Sequence, residues 1–321
     1  MLEVENLTKA YNGFRALDGL NLRVAQGEIY GFLGPNGAGK TTTILMLLDV
    51  LKPTSGRIRF WGQELTGNSV NIRRRVGVVS EKQYLYKEMT AKEYLDFFGD
   101  LYQVAHKSSR LDELLEELDL RDVRHRRLGA FSRGMQQKIS FARALLHDPE
   151  FLILDEPISG LDPQGVKKIR DLIARENQKG KTVFISSHLL SEVEKLCQKV
   201  GIIHKGRLLA EERMENLKRR LSAIVELEVE LERVTPAILQ ALSSFPFIEE
   251  VKNDRNYLAV KVKSDKDYRA EISRALSQQG ALILGIKRKE MSLEEAFMTI
   301  TTQNISLLAG AEKEQQSRGN E

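Results

Sequence analysis

The sequence predicts an α/β fold, a parallel sheet with helices on both faces, followed by a small α+β appendage. Three observations predict it. An apolar run at residues 28–33 enters a glycine-rich loop and a helix starts at Lys40. Strand and helix signals alternate from residue 151 to residue 204, as in doubly wound sheets. Near residue 222 the pattern changes to a β-α-β-β-α-β order.

Residues 2–7 and 20–24 alternate apolar and polar with period two and read as strands. Residues 28–33, Glu-Ile-Tyr-Gly-Phe-Leu, suit a buried strand. Residues from about 82 to 150 read as mostly helical, with apolar spacings of three and four at 91–102 and 111–120. A strand at 151–154, a helix at 165–178, a strand at 182–186, a helix containing Cys197 and a strand at 200–204 follow. The strictly alternating 225–231 then predicts a half-exposed strand. After it come a helix at 236–242, strands at 248–251 and 257–262, a helix at 268–278, a strand at 281–286 and a last helix from Leu293. This order predicts a ferredoxin-like unit. The expected divisions are a main domain at 1–221 with its helical part at about 82–150, an accessory domain at 222–304, and a flexible tail at 305–321.

Composition narrows the partners. Of 321 residues 41% are hydrophobic and 29% charged, as in ordinary globular domains. No apolar run approaches the roughly 18–20 residues needed to cross a bilayer, and the first residues lack the blocks of a signal peptide. A cytoplasmic location follows, with any membrane role supplied by a partner. The single cysteine, Cys197, sits at helical spacing among apolar residues and reads as core. A net charge of +4 does not mark a nucleic-acid binder, and none is expected. The clusters at Arg73 to Arg75 and Arg124 to Arg127 read as solvated surface, with a partner or acidic headgroups as the sharper alternative.

Two segments carry chemistry. Gly34-Pro35-Asn36-Gly37-Ala38-Gly39-Lys40-Thr41 matches G-x-x-x-x-G-K-[ST] in the strand-to-helix setting that a phosphate-binding loop requires. Its glycines let the backbone wrap phosphates, and open N–H groups at the helix start supply positive potential. Lys40 is placed to reach the β- and γ-phosphates of ATP, and the Thr41 hydroxyl to ligate Mg²⁺; Thr42 completes the binding segment. Phe151-Leu152-Ile153-Leu154-Asp155-Glu156 is a buried strand that ends in two carboxylates beside that loop. Asp155 is the expected Mg²⁺ holder, and Glu156 the group that orients and polarises the attacking water.

Between and after these segments lie Phe131-Ser132-Arg133-Gly134-Met135-Gln136-Gln137, Ser159-Gly160-Leu161-Asp162 and Ser186-Ser187-His188. In that order the motifs resemble the nucleotide-binding subunit of an ABC transporter, over roughly residues 1–215. The resemblance implies a P-loop NTPase core with an antiparallel β-subdomain and a helical subdomain. It also implies a dimer, homo- or heteromeric, in which each site borrows the other subunit's signature segment. Ser132 and Gly134 would then meet the γ-phosphate in trans, and Asp162 would lie across the seam. His188 would touch the γ-phosphate and hold water and Glu156 in line. Tyr11 matches the aromatic that stacks on adenine, with a core tyrosine as the rival reading.

The chain departs from the family twice. The signature carries Arg133 and Met135 where the family has glycine and glutamine. Glu81 stands where the family has a metal-facing glutamine, with Gln83 as the alternative. With the C-terminal appendage, these variants resemble the branch whose ATPases serve separate six-helix permeases of the ABC-2 exporter type. The expectation is an ATP-hydrolysing subunit, peripheral on the inner membrane face, driving a multi-spanning permease. A soluble ABC-type ATPase acting on a macromolecular complex is the alternative.

Overall fold

The computed structural model describes residues 1–67, 69–217, 224–263 and 266–289. The last helix expected from Leu293 and the tail at 305–321 lie outside the described residues. The chain forms two compact units that divide between Arg213 and Met214, upstream of the boundary expected at 221/222.

The first unit begins with two long strands, β1 (Leu2–Tyr11) and β2 (Phe14–Val24), joined by the turn at Asn12 and Gly13. Both turn residues have positive φ, 42° and 86°, the conformation that a tight Asn-Gly hairpin requires. Next come β3 (Ile29–Leu33), α1 (Lys40–Leu47), β4 (Ser55–Phe60), β5 (Gln63–Glu64), α2 (Val70–Arg73) and β6 (Val76–Val79). The helical stretch holds α3 (Ala91–Leu101), α4 (Lys107–Glu117) and α5 (Arg133–Leu145). The order closes with β7 (Phe151–Asp155), α6 (Pro163–Gln178), β8 (Thr182–Ser187), α7 (Leu190–Leu196), β9 (Lys199–His204) and β10 (Arg207–Arg213).

These strands build two sheets. β2-β1-β4-β5 is antiparallel, whereas β10-β9-β3-β8-β7-β6 is parallel except for its edge strand β10. The apolar runs explain the split: β3 and β7 are buried at every residue and occupy interior positions of the parallel sheet. The alternating strands β1 and β2 have one face to bury and pair with each other. The core between the sheets includes Tyr30, Phe32 and Phe184, with ring centroids 5.6 and 5.4 Å from Phe184. Truncating such a ring to alanine costs about 3–5 kcal/mol.

Helix starts follow capping chemistry. Thr90 and Glu93 form a reciprocal capping box on α3. Ser132 caps α5, and Asp162 caps α6 with Pro163 at the first helical position. Cys197 is the residue that ends α7; burial pushes its thiol well up, as for a core residue. The basic clusters are largely paired at the surface: Arg73 with Asp49, Arg75 with Glu150, Arg124 with Asp112 and Arg127 with Glu88.

The second unit contains β11 (Ile224–Leu231), α8 (Pro236–Ser243), β12 (Ile248–Asp254), β13 (Tyr257–Lys263), α9 (Arg269–Gln278) and β14 (Ile283–Lys289). Its antiparallel sheet has the order β12-β13-β11-β14. Val225, Leu227, Val229 and Leu231 join Ile238, Leu242, Ile272 and Leu276 in a separate core. Alternation along β11 therefore buries one face against α8 and α9.

Candidate active site

The parallel sheet brings the ends of β3, β7 and β8 together, and the loop after β3 turns back over that edge. Gly37 and Gly39 have φ of +78° and +110°, backbone geometry that a side chain would strain. A methyl group at Gly34 would strike the carbonyl oxygen of Ile203, so the loop can lie against β9 only without a Cβ there. Gly39 precedes α1 in the left-handed region and offers no side chain to cap it. The first amides of α1 are consequently open to an anion.

Lys40 is buried, with its Nζ donating to the carbonyls of Gly34 at 2.6 Å and Pro35 at 3.3 Å. The same ammonium lies 3.5 Å from the Glu156 carboxylate. Loop carbonyls thus hold the charge in place and can be exchanged for phosphate oxygens.

Asp155 ends β7 and accepts a 2.5 Å hydrogen bond from the Ser186 hydroxyl at the matching register of β8. Burial holds its carboxyl above the usual carboxylate range; Ser186 opposes this, while the charges of Glu156 and Glu81 add to it.

Glu156 has φ +48° immediately before Pro157, a costly conformation for a non-glycine residue. Its N–H is fixed by the Ser186 carbonyl at 3.2 Å and hydroxyl at 3.1 Å. Its carboxylate accepts from His188 Nδ1 at 2.8 Å. A buried carboxylate held between an ammonium and an imidazole at the wall of an open cleft is suited to polarise a water.

The cleft holds about 390 Å³, within the range of small-ligand sites, and is lined by Pro35, Asn36, Gly37, Gly39, Lys40, Thr41 and Thr42. Glu81, Asp155, Glu156 and His188 complete its polar wall. Gly34 and Ala38 lie beneath the loop rather than in the lining, the Ala38 carbonyl accepting from Gly206 N–H.

Five candidate residues stand apart from the cleft of their own chain. Ser132 is exposed at the start of α5 and accepts from Met135 N–H at 3.3 Å; Gly134 is one helical position beyond Arg133. Asp162 accepts from Gly165 N–H at 2.7 Å and so has a capping role of its own. Tyr11 is exposed, with the Lys9 ammonium 5.1 Å from its ring centre. Gln83 is committed to Ser80, Gln137 and Ser140 and does not line the cleft.

The sequence reading missed Phe14, Ala16 and Ser159, all of which line the cleft. Phe14 pairs with Tyr11 across the β1–β2 hairpin and exposes its ring. The Asn12-Gly13 turn was the available signal, since it sets two aromatics at one hairpin tip.

A phosphate loop with its lysine at the head of a helix, facing two strand-end carboxylates, defines a P-loop nucleoside triphosphatase. Comparison with known proteins gives the family. Residues 17–159 match the model of the family described as ABC transporter. The bacitracin transport ATP-binding protein BcrA of Bacillus licheniformis is 41% identical over 94% of this chain and 97% of its own. The daunorubicin/doxorubicin resistance ATP-binding protein DrrA of Streptomyces peucetius is 33% identical over 94% of this chain and 92% of its own.

Among solved structures, an ATP-binding subunit of an ABC transporter superposes with a TM-score of 0.64 at 31% identity, covering 68% of this chain and 92% of that one. A dimeric ATP-binding cassette in a post-hydrolysis state with ADP and Pi superposes with a TM-score of 0.62 at 27% identity, covering 67% and 99%. The chain belongs to the ABC transporter ATP-binding subunits, alongside ATPases of the exporter type. It is an ATPase subunit of an ABC exporter and couples ATP hydrolysis to transport. Among the described residues no helix is long and apolar enough to cross a membrane.

Proposed function

We propose that two copies of this fold, identical or paralogous, enclose ATP at the cleft and drive a separate permease that exports an antibiotic. The observation that carries the catalytic part is the buried Lys40–Glu156 pair with exposed His188 beside it, at contacts of 3.5 and 2.8 Å. Lys40 and the open amides of α1 bind the phosphates, Glu156 polarises water, and His188 keeps that carboxylate in line. Phe14, with Tyr11 beside it, offers the adenine a π-face at the hairpin tip.

Mg²⁺ fits the donors present. Asp155, the Thr41 hydroxyl and Glu81 are hard oxygen ligands, and the crowding of Asp155 by two neighbouring carboxylates favours a divalent cation there. Among the described residues no group of three or more His, Cys, Asp or Glu is arranged to hold a metal. This suits an ion that draws further ligands from phosphate and water. When bound, Mg²⁺ supplies neutralisation of phosphate charge.

Exposed Ser132 and Asp162, with half-buried Gly134, are available to a second subunit. An apolar groove of about 620 Å³, lined by residues that include Leu47, Val50, Val70, Leu101 and Tyr102, is the surface offered to the permease. Exposed Val50, Val70 and Leu101 need cover there. The antibiotic class comes from relatives whose names give bacitracin transport, linearmycin resistance and daunorubicin resistance. We read residues 1–221 as the ATPase domain, residues 222–304 as an accessory domain, and its strand order as support for a ferredoxin-like topology. The location that follows is the inner membrane face.

A mixed dimer tests the reading. Ser132→Arg and Lys40→Ala should each abolish turnover in homodimers, yet their mixture should regain one composite site. Complete inactivity of the mixture would contradict trans composition.

A further inference from the structure

A chain of buried and half-buried polar side chains in the first unit runs behind the cleft. Ser140, on α5, donates its hydroxyl to the Gln83 carbonyl oxygen. The Gln83 amide donates to the Ser80 carbonyl at 2.5 Å and to Gln137 Oε1 at 2.9 Å. The Gln137 amide, itself buried, donates to the Pro157 carbonyl at 2.6 Å. Each carboxamide oxygen accepts within this chain and each amide nitrogen donates within it, so the network fixes both carboxamide orientations.

Two of the three segments joined in this way border the cleft, and the third, α5, carries the expected contact to a second subunit at its head. Ser80 and Gln83 flank Glu81, a lining residue. Gln137 and Ser140 lie three apart on one face of α5, whose first turn carries Ser132. Pro157 follows Glu156, whose backbone is strained at φ +48°. Ser186 holds the amino side of Glu156 and Gln137 holds its carboxyl side. Strain of this kind persists only where neighbours over-determine it. The Arg133 guanidinium, at the head of the same helix, lies over Gly160, three residues beyond Pro157.

We infer that Gln137 is a positioning residue for hydrolysis: with Gln83 it ties the Glu81 loop, the turn behind Glu156 and helix α5 into one body. A shift of Ser132 at the head of α5 is then passed to Pro157 and to the Glu156 carboxylate. The inference rests on the proposed reading of Glu156 as the water-polarising group and of Ser132 as a contact across the dimer.

Gln137→Met and Gln83→Met remove the amides at nearly constant volume, and the full chain is assayed with each and with both. Each single variant should lose about 10- to 100-fold in kcat, the scale of an ångström's misplacement of a catalytic group. KM and the affinity for a fluorescent ATP analogue should stay within about twofold, since no nucleotide contact is removed. The double variant should be no slower than the worse single, because both cut one chain. Parental kcat in Gln137→Met, losses that multiply, or losses confined to KM would overturn the inference.

If Gln137→Met fails to fold, Gln83→Met at the half-buried end decides: parental kcat overturns the proposal, and a lowered kcat at constant KM supports it. Glu156→Gln is assayed alongside. A slow Glu156→Gln with a parental Gln137→Met refutes the positioning role alone, whereas a parental Glu156→Gln removes the reading beneath it.

Discussion

Lys40 and Glu156 should stabilise the nucleotide-free chain only as a pair. Both side chains are nearly buried, 6% and 7% exposed, with 3.5 Å between the charged atoms. Removing one member of a buried pair leaves an uncompensated charge and typically costs about 3–5 kcal/mol. His188 still donates to Glu156 at 2.8 Å, so the lower end applies to Lys40→Met. Replacing both removes the stranded charge, and Lys40→Met with Glu156→Gln should recover about 2 kcal/mol relative to the sum of the singles.

The assay is urea unfolding without nucleotide, followed by tryptophan fluorescence. The chain has one tryptophan, Trp61, which lies in the first unit with the Arg75 guanidinium 3.7 Å from its ring centre. The signal therefore reports the unit that carries the pair. Strict additivity of the two substitutions would refute the electrostatic pairing.

Asp155 gives a pH-dependent case. Its carboxyl is held above the usual range chiefly by burial, so the folded chain binds a proton more tightly than the unfolded one. Stability then falls as pH rises from the unfolded value of about 4 through the folded value. Asp155→Asn should raise the metal-free melting temperature at neutral pH, with the gain shrinking towards pH 4, while Mg·ATP ceases to stabilise it. A pH-independent difference would contradict the burial argument. Phe14→Ala should weaken ATP binding by about 1–2 kcal/mol, the scale of base stacking on an aromatic ring, whereas Tyr11→Ala should weaken it less. Equal effects, measured by titration with a fluorescent ATP analogue, would restore Tyr11 as an equal platform.

The parts of the site legible in the sequence were those written locally. The glycine loop needs strand, turn and helix in succession, and residues 28–47 spell that succession. Asp155 and Glu156 were readable because an apolar run stops at them. The approach of His188 to Glu156 depends on the register between β7 and β8, which spacing along one strand does not contain. The Gln83–Gln137–Pro157 chain joins residues 54 and 20 positions apart and has no periodic signature. β4, β6 and β10 were not anticipated; β6 is a four-residue strand and β10 a half-exposed edge strand. The antiparallel sheet came from the resemblance, because alternation in β1 and β2 predicts strands but not which sheet they join.

The role of Glu156 is the centre of the account, and Glu156→Gln tests it most directly. The variant keeps the shape of the side chain and the phosphate loop while removing the charge that polarises water. With Mg·ATP, turnover should fall by about 10²- to 10⁴-fold, the usual scale for loss of a general base. Size-exclusion chromatography should show an ATP-dependent dimer that persists because hydrolysis no longer opens it. Hydrolysis at the parental rate, with no trapped dimer, would contradict the account.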